Sequence, residues 1–558
     1  MAIVKLRDNR FGGNALCFKK EQSDGIVFSS KDNTEGLNNQ KISGKEQKLL
    51  EQFGGVKMVE LADKAGDAIV LLDGTHADDS DRKSQPFFTF KELNKKDNQG
   101  VDSFRLETGN LMGVLRFRDR KSGTSVQVEV LSRFDKRENN FFLNYLLSKV
   151  YDFALGAESI SAQRSSFLEI LLDIVFVRRL GEASKAGLLR HYREFRNNDW
   201  NFKGSLDLAR HIRENIPLMH GIAYRKREID LDVPVNRMIL KAALTVNRRH
   251  PGFFEGKRDA ADALRQLRMG VTEEHDLRRM LSHRDCREPV SHPFFREVWE
   301  PLRQIAKMIL EDEQWTLFPE ETTDDEVSGI VFDGSWLWEE YLATILSSKG
   351  YQHCVKGKSS DGMLYSLRNS RTGRSVGPMY PDFILKEDGK YLEVADAKYK
   401  QAILVRDDRL QMIAYAYVFE PKIVRVIYPP PTNDAEEQLR ALESSSEDDQ
   451  TDITQKQKPS KSNFEDRFSV CRNSLQKPNL DEETTIIQTI SFGKNVPESS
   501  TVNDFANEMK KMETKFLEKM SPMAEGQCTG NATSERNNMT EKHVRNSTWR
   551  HEVGNMSN

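Results

Sequence analysis

Two aspartates and a lysine in the last part of the chain have a spacing at which they could act together. Asp382 follows a proline, and Asp396 and Lys398 lie two positions apart in the strand-like run Tyr391–Lys398. A β-strand alternates its faces, so Asp396 and Lys398 should lie side by side. If Asp382 comes from the neighbouring strand, the two carboxylates can hold Mg²⁺, with Mn²⁺ as the alternative cation. The lysine can then orient a water or balance charge on a phosphate oxygen, which is the chemistry of phosphodiester hydrolysis.

A helix after the lysine should frame this group. It begins near Asp407 and places Gln411 and Tyr415 four positions apart on one face. The proline–aspartate pair with the later Asp396 and Lys398 resembles the PD-(D/E)XK nuclease motif, and the Gln411–Tyr415 pair resembles the additional motif of RecB-type members. The resemblance implies that these two side chains position the lysine or the DNA. The alternative interpretation is an edge strand with surface charges beside a helix whose two polar residues only pack.

A second helix is predicted upstream, over Gly334–Leu346, and carries acids in its first turns. In the nuclease superfamily that the motif resembles, a helix at this place has a glutamate that faces the metal. The resemblance therefore implies Glu339 as a further acid of the site. Glu340 takes that place if the helix is rotated by one residue.

Composition narrows the class of protein. The chain has 558 residues, of which 37% are hydrophobic and 30% charged, which fits a soluble protein of several domains. The N-terminus lacks the apolar core of a signal peptide and no apolar stretch is long enough to span a bilayer, so we expect a cytoplasmic protein with no membrane contact. The five cysteines are scattered without C-x-x-C spacing, which argues against a disulfide framework and a zinc ribbon.

Charge is distributed unevenly along the chain. The formal net charge is −3, so contact with DNA would depend on local clusters of positive charge. Basic residues outnumber acids between Arg178 and Glu228, which indicates either a solvated helical surface or a contact with nucleic acid or a partner. The sequence contains no P-loop, so a nucleotide-driven motor would have to be another polypeptide.

Periodicity predicts a multi-domain α+β protein. Residues 1–139 are expected to form a β-rich N-terminal domain with a hairpin of Val114–Arg118 and Val126–Val130, and residues 140–315 a helical middle domain. Residues 325–520 should form an α/β domain in which Phe332–Ile427 has the order helix, strand, strand, helix, strand, and the motif resemblance implies that it is a PD-(D/E)XK nuclease domain. A polar stretch at about 432–479 is predicted as a disordered insertion that either stays a loop or folds on DNA or a partner, and residues 521–558 as a disordered tail. The helices predicted for the middle domain are Phe167–Val177, Lys185–Arg196, Leu206–Asn215, Pro234–Asn247, Asp259–Gly270 and Pro293–Leu310.

Several segments resemble McrC-type proteins, the nuclease subunits of McrBC-type, modification-dependent restriction systems. The matching segments are Gly109–Phe117, Ser132–Asp135, Phe141–Leu147, Tyr192–Phe195, Lys203–Asp207, Ile222–Glu228 and Asp232–Leu240. The resemblance implies a Mg²⁺-dependent endonuclease that cuts double-stranded DNA and stimulates a separate AAA+ GTPase of McrB type. By the same match, Asp382, Asp396 and Lys398 carry the cleavage. Asp207, Arg225 and Asn236 hold the middle domain together or face the partner.

Two other functions fit the same residues. One is a stand-alone RecB-like nuclease of repair or phage defence, which needs no GTPase. The other is a regulatory subunit that only docks on a ring ATPase or GTPase, against which the intact aspartate, aspartate and lysine pattern argues. A neighbouring reading frame that encodes an AAA+ GTPase would separate the partnered nuclease from the stand-alone one.

Overall fold

The computed structural model describes residues 2–10, 15–20, 27–30, 40–65, 68–72, 84–96, 100–119, 122–135, 140–153, 167–217, 220–290, 293–317, 327–354, 364–368, 370–371, 374–400, 406–431, 467–471, 484–499 and 501–520. In these residues the strands are β1 (Ala2–Arg7), β2 (Leu16–Lys20), β3 (Val27–Ser30), β4 (Lys41–Ser43), β5 (Ile69–Leu71), β6 (Thr89–Lys96), β7 (Gly100–Glu107), β8 (Leu111–Arg118), β9 (Ser125–Leu131), β10 (His191–Asp199), β11 (Ser205–Leu206), β12 (Ile222–Asp230), β13 (Val327–Asp333), β14 (Gln352–His353), β15 (Leu364–Arg368), β16 (Ser375–Met379), β17 (Phe383–Glu387), β18 (Lys390–Ala397), β19 (Ile423–Tyr428), β20 (Arg467–Cys471) and β21 (Thr484–Ser491).

The α-helices of the same residues alternate with these strands in a mixed α/β chain. They are α1 (Gly44–Phe53), α2 (Met58–Ala65), α3 (Phe141–Val150), α4 (Phe167–Lys185), α5 (Leu208–Asn215), α6 (Pro234–Arg249), α7 (Arg258–Gly270), α8 (Leu277–Ser282), α9 (Arg284–Arg287), α10 (Pro293–Leu317), α11 (Gly334–Leu346), α12 (Arg406–Phe419) and α13 (Val502–Lys519). In the part of the chain that is described, none of these helices has the length and apolar character needed to cross a membrane.

The N-terminal part is built from two sheets. One sheet, called here the first sheet, has the strand order β1, β9, β8, β13, β5. The other has the order β4, β3, β2, β7, β6. The predicted hairpin is present, because β8 pairs antiparallel with β9. Strand β13 comes from far along the chain and pairs with both β8 and β5. The close approach of β8 and β13 needs glycine, since a Cβ on Gly113 would lie 2.1 Å from the Ile330 carbonyl oxygen.

Helices and one small sheet form the middle part. Helix α4 packs against α7 and α10, and α6 also packs against α10. The predicted apolar stripe of α4 is buried at Leu171, Ile174 and Val177. The prediction of helices is confirmed at α4, α5, α6, α7 and α10. The bounds of α5, α6 and α7 differ from the predicted ones by one or two residues, whereas α4 continues eight residues and α10 seven residues beyond the predicted C-terminal end.

The prediction of a helix over Lys185–Arg196 is wrong. Residues His191–Asp199 form β10, which pairs along its whole length with Ile222–Asp230, and Ser205–Leu206 add a short third strand. Most side chains of β10 are exposed on both faces, so no apolar periodicity distinguishes this strand from a charged helix. The backbone hydrogen bonds of the nine-residue ladder with β12 decide the conformation, and that partner lies too far along the chain for local periodicity to show.

A separate sheet, called here the C-terminal sheet, contains Asp396 in strand β18. Asp382 directly precedes its strand β17, and Lys398 directly follows β18. Its strand order is β14, β17, β18, β19, β21, β20, with β18, β19 and β21 mutually parallel. The predicted helix, strand, strand, helix and strand correspond to α11, β17, β18, α12 and β19, but the short strands β14, β15 and β16, which were not predicted, lie between α11 and β17. Its core joins α12 to the sheet through buried side chains such as Met412, Val394 and Val426, each of which contributes about 1.5–3 kcal/mol on burial.

The polar stretch at 432–479 was predicted as a disordered insertion, and this is wrong at Arg467–Cys471. These residues form β20, which pairs antiparallel with β21 at the edge of the C-terminal sheet. Backbone pairing along the free edge of β21 supplies hydrogen bonds that the local composition does not indicate. The rest of that stretch and the tail at 521–558 lie outside the described residues.

Candidate active site

Asp382 and Asp396 meet at one end of the C-terminal sheet. Asp382 directly precedes β17, and β17 runs antiparallel to β18 with Phe383 opposite Ala395. The amide of Ala397 donates a hydrogen bond of 2.6 Å to Asp382 Oδ2. This bond fixes the Asp382 carboxylate against the end of the strand that carries Asp396, as the sequence predicts for neighbouring strands.

Lys398 pairs with Asp396 on the same face. The Nζ of Lys398 lies 2.6 Å from Asp396 Oδ2, and the Asp396 side chain is only 2% exposed while that of Lys398 is 22% exposed. The Lys398 amide also donates to the Ile427 carbonyl at 2.9 Å, so the lysine backbone is tied to β19. The period-two prediction for this pair is confirmed.

Helix α12 aims Gln411 and Tyr415 at the same pair. Gln411 Oε1 accepts a hydrogen bond of 2.9 Å from Lys398 Nζ, and Gln411 Nε2 donates to the Tyr415 hydroxyl at 2.8 Å. The Tyr415 hydroxyl donates to the Tyr380 carbonyl at 2.8 Å and lies 3.3 Å from Asp396 Oδ1. The two residues therefore orient the lysine and the acid together, which surface packing alone would not require.

Glu339 comes from helix α11, which starts where β13 of the first sheet ends. Asp333 caps this helix by accepting a hydrogen bond of 2.7 Å from the Ser335 amide. Glu339 Oε1 lies 2.8 Å from His353 Nε2, and the charge of Glu339 acts on both Asp382 and Asp396. The charge of Glu340, the other glutamate considered, acts on the neighbouring His353.

Sequence reasoning missed His353. It lies on β14 opposite Phe383, and its ring stacks on Phe383 at 5.3 Å between centroids. Burial lowers the pKa of His353, but the hydrogen bond and charge of Glu339 outweigh that effect and raise the pKa above its ordinary value. No motif contains this histidine, and only the pairing of β14 with β17 brings it to the acids.

Burial and mutual repulsion dominate the electrostatics of the two aspartates. Burial, with the charges of Asp396 and Glu339, raises the pKa of Asp382 well above its ordinary value. Burial also raises the pKa of Asp396, against the opposing attraction of Lys398. For Lys398, burial lowers the pKa, but the charges of Asp396 and Asp382 raise it overall, so the ammonium stays protonated at neutral pH.

The oxygen donors suit a hard divalent cation, which would relieve this repulsion. Within the described ranges, no group of three or more His, Cys, Asp or Glu side chains lies so that all of them could hold one metal ion. Mg²⁺ does not need one, because it commonly binds one or two carboxylates and keeps waters or phosphate oxygens as its other ligands. Asp382 and Asp396 therefore fit a cation that is shared with a phosphate substrate.

A buried ion pair supports the opposite face of β18. Arg425 of β19 makes two hydrogen bonds to the Glu393 carboxylate, at 2.6 and 2.9 Å, and one of 2.8 Å to Gln488 of β21. The Tyr351 hydroxyl donates to the same carboxylate. Because Glu393 and Asp396 lie on opposite faces of one strand, this network holds the strand whose other face carries the candidate site.

We expect Glu393→Ala to lower the free energy of unfolding by about 3–5 kcal/mol, because it leaves the Arg425 guanidinium buried without its partner. Denaturant unfolding followed by circular dichroism measures this loss. The control is Glu387→Ala at an exposed position of the adjacent strand, which should change stability by less than about 0.5 kcal/mol. Equal effects of the two substitutions would contradict the assigned role.

Comparison with known proteins places most of this architecture in one family. The sequence model described as McrBC 5-methylcytosine restriction system component matches residues 106–429. No match was found among curated proteins. The matched range contains Asp382, Asp396, Lys398, Gln411 and Tyr415.

Two solved structures from Thermococcus gammatolerans are similar at low identity. One is a refined half-complex from a tetradecameric assembly of McrB AAA+ hexamers with bound McrC; it is 12% identical, covers 91% of this chain and 100% of its own, and has a TM-score of 0.43. The other is the cryo-EM structure of the McrBC complex; it is 14% identical, covers 62% of this chain and 88% of its own, and has a TM-score of 0.28. Both scores are below the level at which a shared arrangement can be argued.

Proposed function

The chain belongs to the family of McrBC 5-methylcytosine restriction system components, and we propose that it is the McrC-type subunit that cleaves double-stranded DNA with Mg²⁺. The observation that carries this proposal is the group formed by Asp382, Asp396 and Lys398. Gln411 is hydrogen-bonded to Lys398, and Tyr415 is hydrogen-bonded to Gln411. Residues 325–520 would then contain a PD-(D/E)XK nuclease domain, with the β-rich and helical parts before it.

In the proposed mechanism, Asp382 and Asp396 would hold Mg²⁺, and Glu339 would add a further negative charge beside them. When bound, the cation supplies positive charge to the scissile phosphate and lowers the pKa of a ligand water. Mn²⁺ meets the same carboxylate ligands and should substitute. Asp396 is buried and Asp382 is partly exposed, so Asp382 is the aspartate through which solvent reaches the pair.

Lys398 acts as a fixed positive charge. Its raised pKa keeps the ammonium charged, so it orients the attacking water and stabilises charge on the phosphate oxygens and does not itself remove a proton. Gln411 holds the ammonium from one side and Asp396 from the other. Tyr415 fixes Gln411 in turn, so the donor is preorganised before the substrate arrives.

We propose an AAA+ GTPase of McrB type as the partner, since the chain belongs to the McrBC family and its sequence has no P-loop. The contact surface proposed is the segment 191–230, which exposes an unusual number of large apolar side chains. They are Tyr192 at 75%, Trp200 at 64%, Leu208 at 59%, Ile216 at 56%, Ile229 at 55%, Ile212 at 51%, and Phe202 and Leu206 at 47% each. Such a concentration on the surface of a soluble chain indicates a protein interface.

Replacing Tyr192 and Trp200 with serine should weaken binding of the GTPase by roughly 30-fold or more, because exposed aromatic anchors dominate interface energies. The measurement is the concentration of this chain that half-maximally stimulates GTP hydrolysis by the partner. Met269→Ser, at an apolar residue that is 89% exposed outside this segment, is the matched control and should have no effect. If the double variant stimulates like the parent, the segment is not the contact surface.

The test of the nuclease itself is Mg²⁺-dependent DNA cleavage by the chain with its GTPase, compared with variants at the two aspartates and the lysine. Loss of cleavage with retained stimulation of GTP hydrolysis would support the proposal. A regulatory subunit without nuclease chemistry would give the same stimulation and no cleavage in any form.

A further inference from the structure

Tyr399, the residue after Lys398, packs its side chain against the first sheet and the residues that follow its strand β9. The Tyr399 side chain is buried, and its hydroxyl lies 2.7 Å from Ser132 Oγ, just past the end of β9. The hydroxyl is also 3.9 Å from the Met112 sulfur of β8. The Tyr399 ring packs edge-on against Phe134 at 4.9 Å between centroids. One side chain thus joins the segment next to the candidate site to the N-terminal part of the protein.

Arg133 holds the backbone of the same residue. Its guanidinium donates a hydrogen bond to the Tyr399 carbonyl, and its Cζ lies 4.9 Å from the centre of the Tyr399 ring. Asp8 of the N-terminal segment fixes Arg133 in turn, since it accepts a 2.6 Å hydrogen bond from the Arg133 amide and lies 3.7 Å from Nε. All three side chains are buried, so these contacts are shielded from solvent.

Tyr399 also touches the helix that carries Glu339. A Cβ at Gly334, the first residue of α11, would lie 2.8 Å from Tyr399 Cε1. Only a glycine allows this approach of ring and helix start. Tyr399 therefore lies just after the end of β18 and touches the start of α11, the two elements that carry Asp396 and Glu339.

We propose that Tyr399, held by Ser132 and Arg133, is a positioning residue that sets the place of Lys398. The four residues Asp8, Ser132, Arg133 and Tyr399 are called here the Tyr399 latch. The Lys398 amide donates a hydrogen bond to the Ile427 carbonyl on one side, and the latch holds the next residue on the other, so a displacement of the first sheet moves the lysine. The catalytic meaning of this inference rests on the proposed nuclease function, but its structural part does not.

The test uses hydrogen exchange of the Lys398 amide in the full chain without metal, followed by mass spectrometry with fragmentation. Tyr399→Phe and Ser132→Ala each remove the hydrogen bond between the two hydroxyls, and Ser132→Ala also removes the acceptor of the Phe134 amide. We expect Tyr399→Phe to accelerate exchange of the Lys398 amide about 5-fold, the size of one buried hydrogen bond, and Ser132→Ala to accelerate it at least as much. The double variant should exchange no faster than Ser132→Ala, because the contact between the hydroxyls is already lost there.

The matched control is the Phe492 amide, which donates to the Tyr428 carbonyl at the same 2.9 Å, at the corresponding end of the neighbouring strand pair. Its exchange should stay unchanged in all variants. Unchanged exchange at Lys398, additive effects in the double variant, or equal acceleration at Phe492 would each overturn the latch.

A second readout is DNA cleavage by the variants with the GTPase. We expect kcat to fall about 5-fold with an unchanged KM, because the substrate contacts remain and only the lysine is less well placed. An altered KM with an unchanged kcat would overturn the positioning role. If the exchange result holds and the parent cleaves no DNA, the proposed nuclease function fails while the latch stands.

Discussion

Asp382→Asn and Asp396→Asn are each expected to reduce Mg²⁺-dependent DNA cleavage by about a thousandfold or more. Each substitution keeps the shape of the side chain but removes a charge that the cation needs, and loss of such preorganised electrostatic stabilisation has effects of this order. Cleavage of a plasmid under single-turnover conditions, with the GTPase partner present, measures the loss. Asp407→Asn, at an exposed acid on α12, is the control and should cleave like the parent.

The same substitution at Asp382 should not weaken the fold. Burial raises the pKa of Asp382 above its value of 3.8 in an unfolded chain, so the folded protein binds this proton more tightly than the unfolded one. As the pH rises above about 4, the carboxyl of the unfolded chain ionises while the folded one keeps its proton, so stability falls until the pH reaches the raised pKa, and the asparagine avoids that loss. Thermal unfolding should therefore give Asp382→Asn a midpoint at or above that of the parent at neutral pH. A lower midpoint together with lost cleavage would indicate a structural role and not a catalytic one.

Lys398→Met should reduce the rate of cleavage by at least about a hundredfold, the usual scale for removing one preorganised charge from a transition state. Unlike the aspartate variants, it should keep or strengthen the affinity for Mg²⁺, because it removes a competing positive charge beside Asp396. Single-turnover rates over a range of Mg²⁺ concentrations separate these two effects. A rate within a few-fold of the parent would show that the lysine is not part of the chemistry.

Lys398→Arg provides a further check on geometry. The planar guanidinium keeps the charge but cannot occupy the narrow position between Asp396 and Gln411 in the same way as an ammonium. We expect it to recover only part of the lost rate. Full recovery would mean that charge alone matters and that the contact with Gln411 has no role in positioning.

Local sequence patterns predicted the relative positions of most residues of the candidate site. Asp396 and Lys398 obey the period of a strand, and Gln411 and Tyr415 the period of a helix, so their relative positions follow from spacing within one element each. Asp382 was placed correctly because a short hairpin-like connection joins β17 to β18. The family resemblance, carried by residues in the matched range, was confirmed by the match over residues 106–429.

Contacts between distant segments were not predictable in this way. His353 reaches Glu339 only because β14 pairs with β17, and Tyr399 meets Ser132 across 267 positions of sequence. The pairing of Glu393 with Arg425 depends on which strand lies beside β18. The helix predicted at Lys185–Arg196 failed for the same reason, since the ladder with β12 decides the conformation of a segment whose own pattern is ambiguous.

The most direct test of the proposed nuclease function combines the chain, an AAA+ GTPase of McrB type, GTP and methylated plasmid DNA, with Mg²⁺ or with a chelator. GTP hydrolysis is followed in the same tube, so that assembly of the complex is established independently of cleavage. If the chain is the proposed nuclease, it accelerates GTP hydrolysis, cut DNA accumulates only with Mg²⁺, and Asp396→Asn preserves the acceleration while cutting nothing. Accelerated GTP hydrolysis with intact DNA, or equal cleavage by the parent and Asp396→Asn, would contradict it.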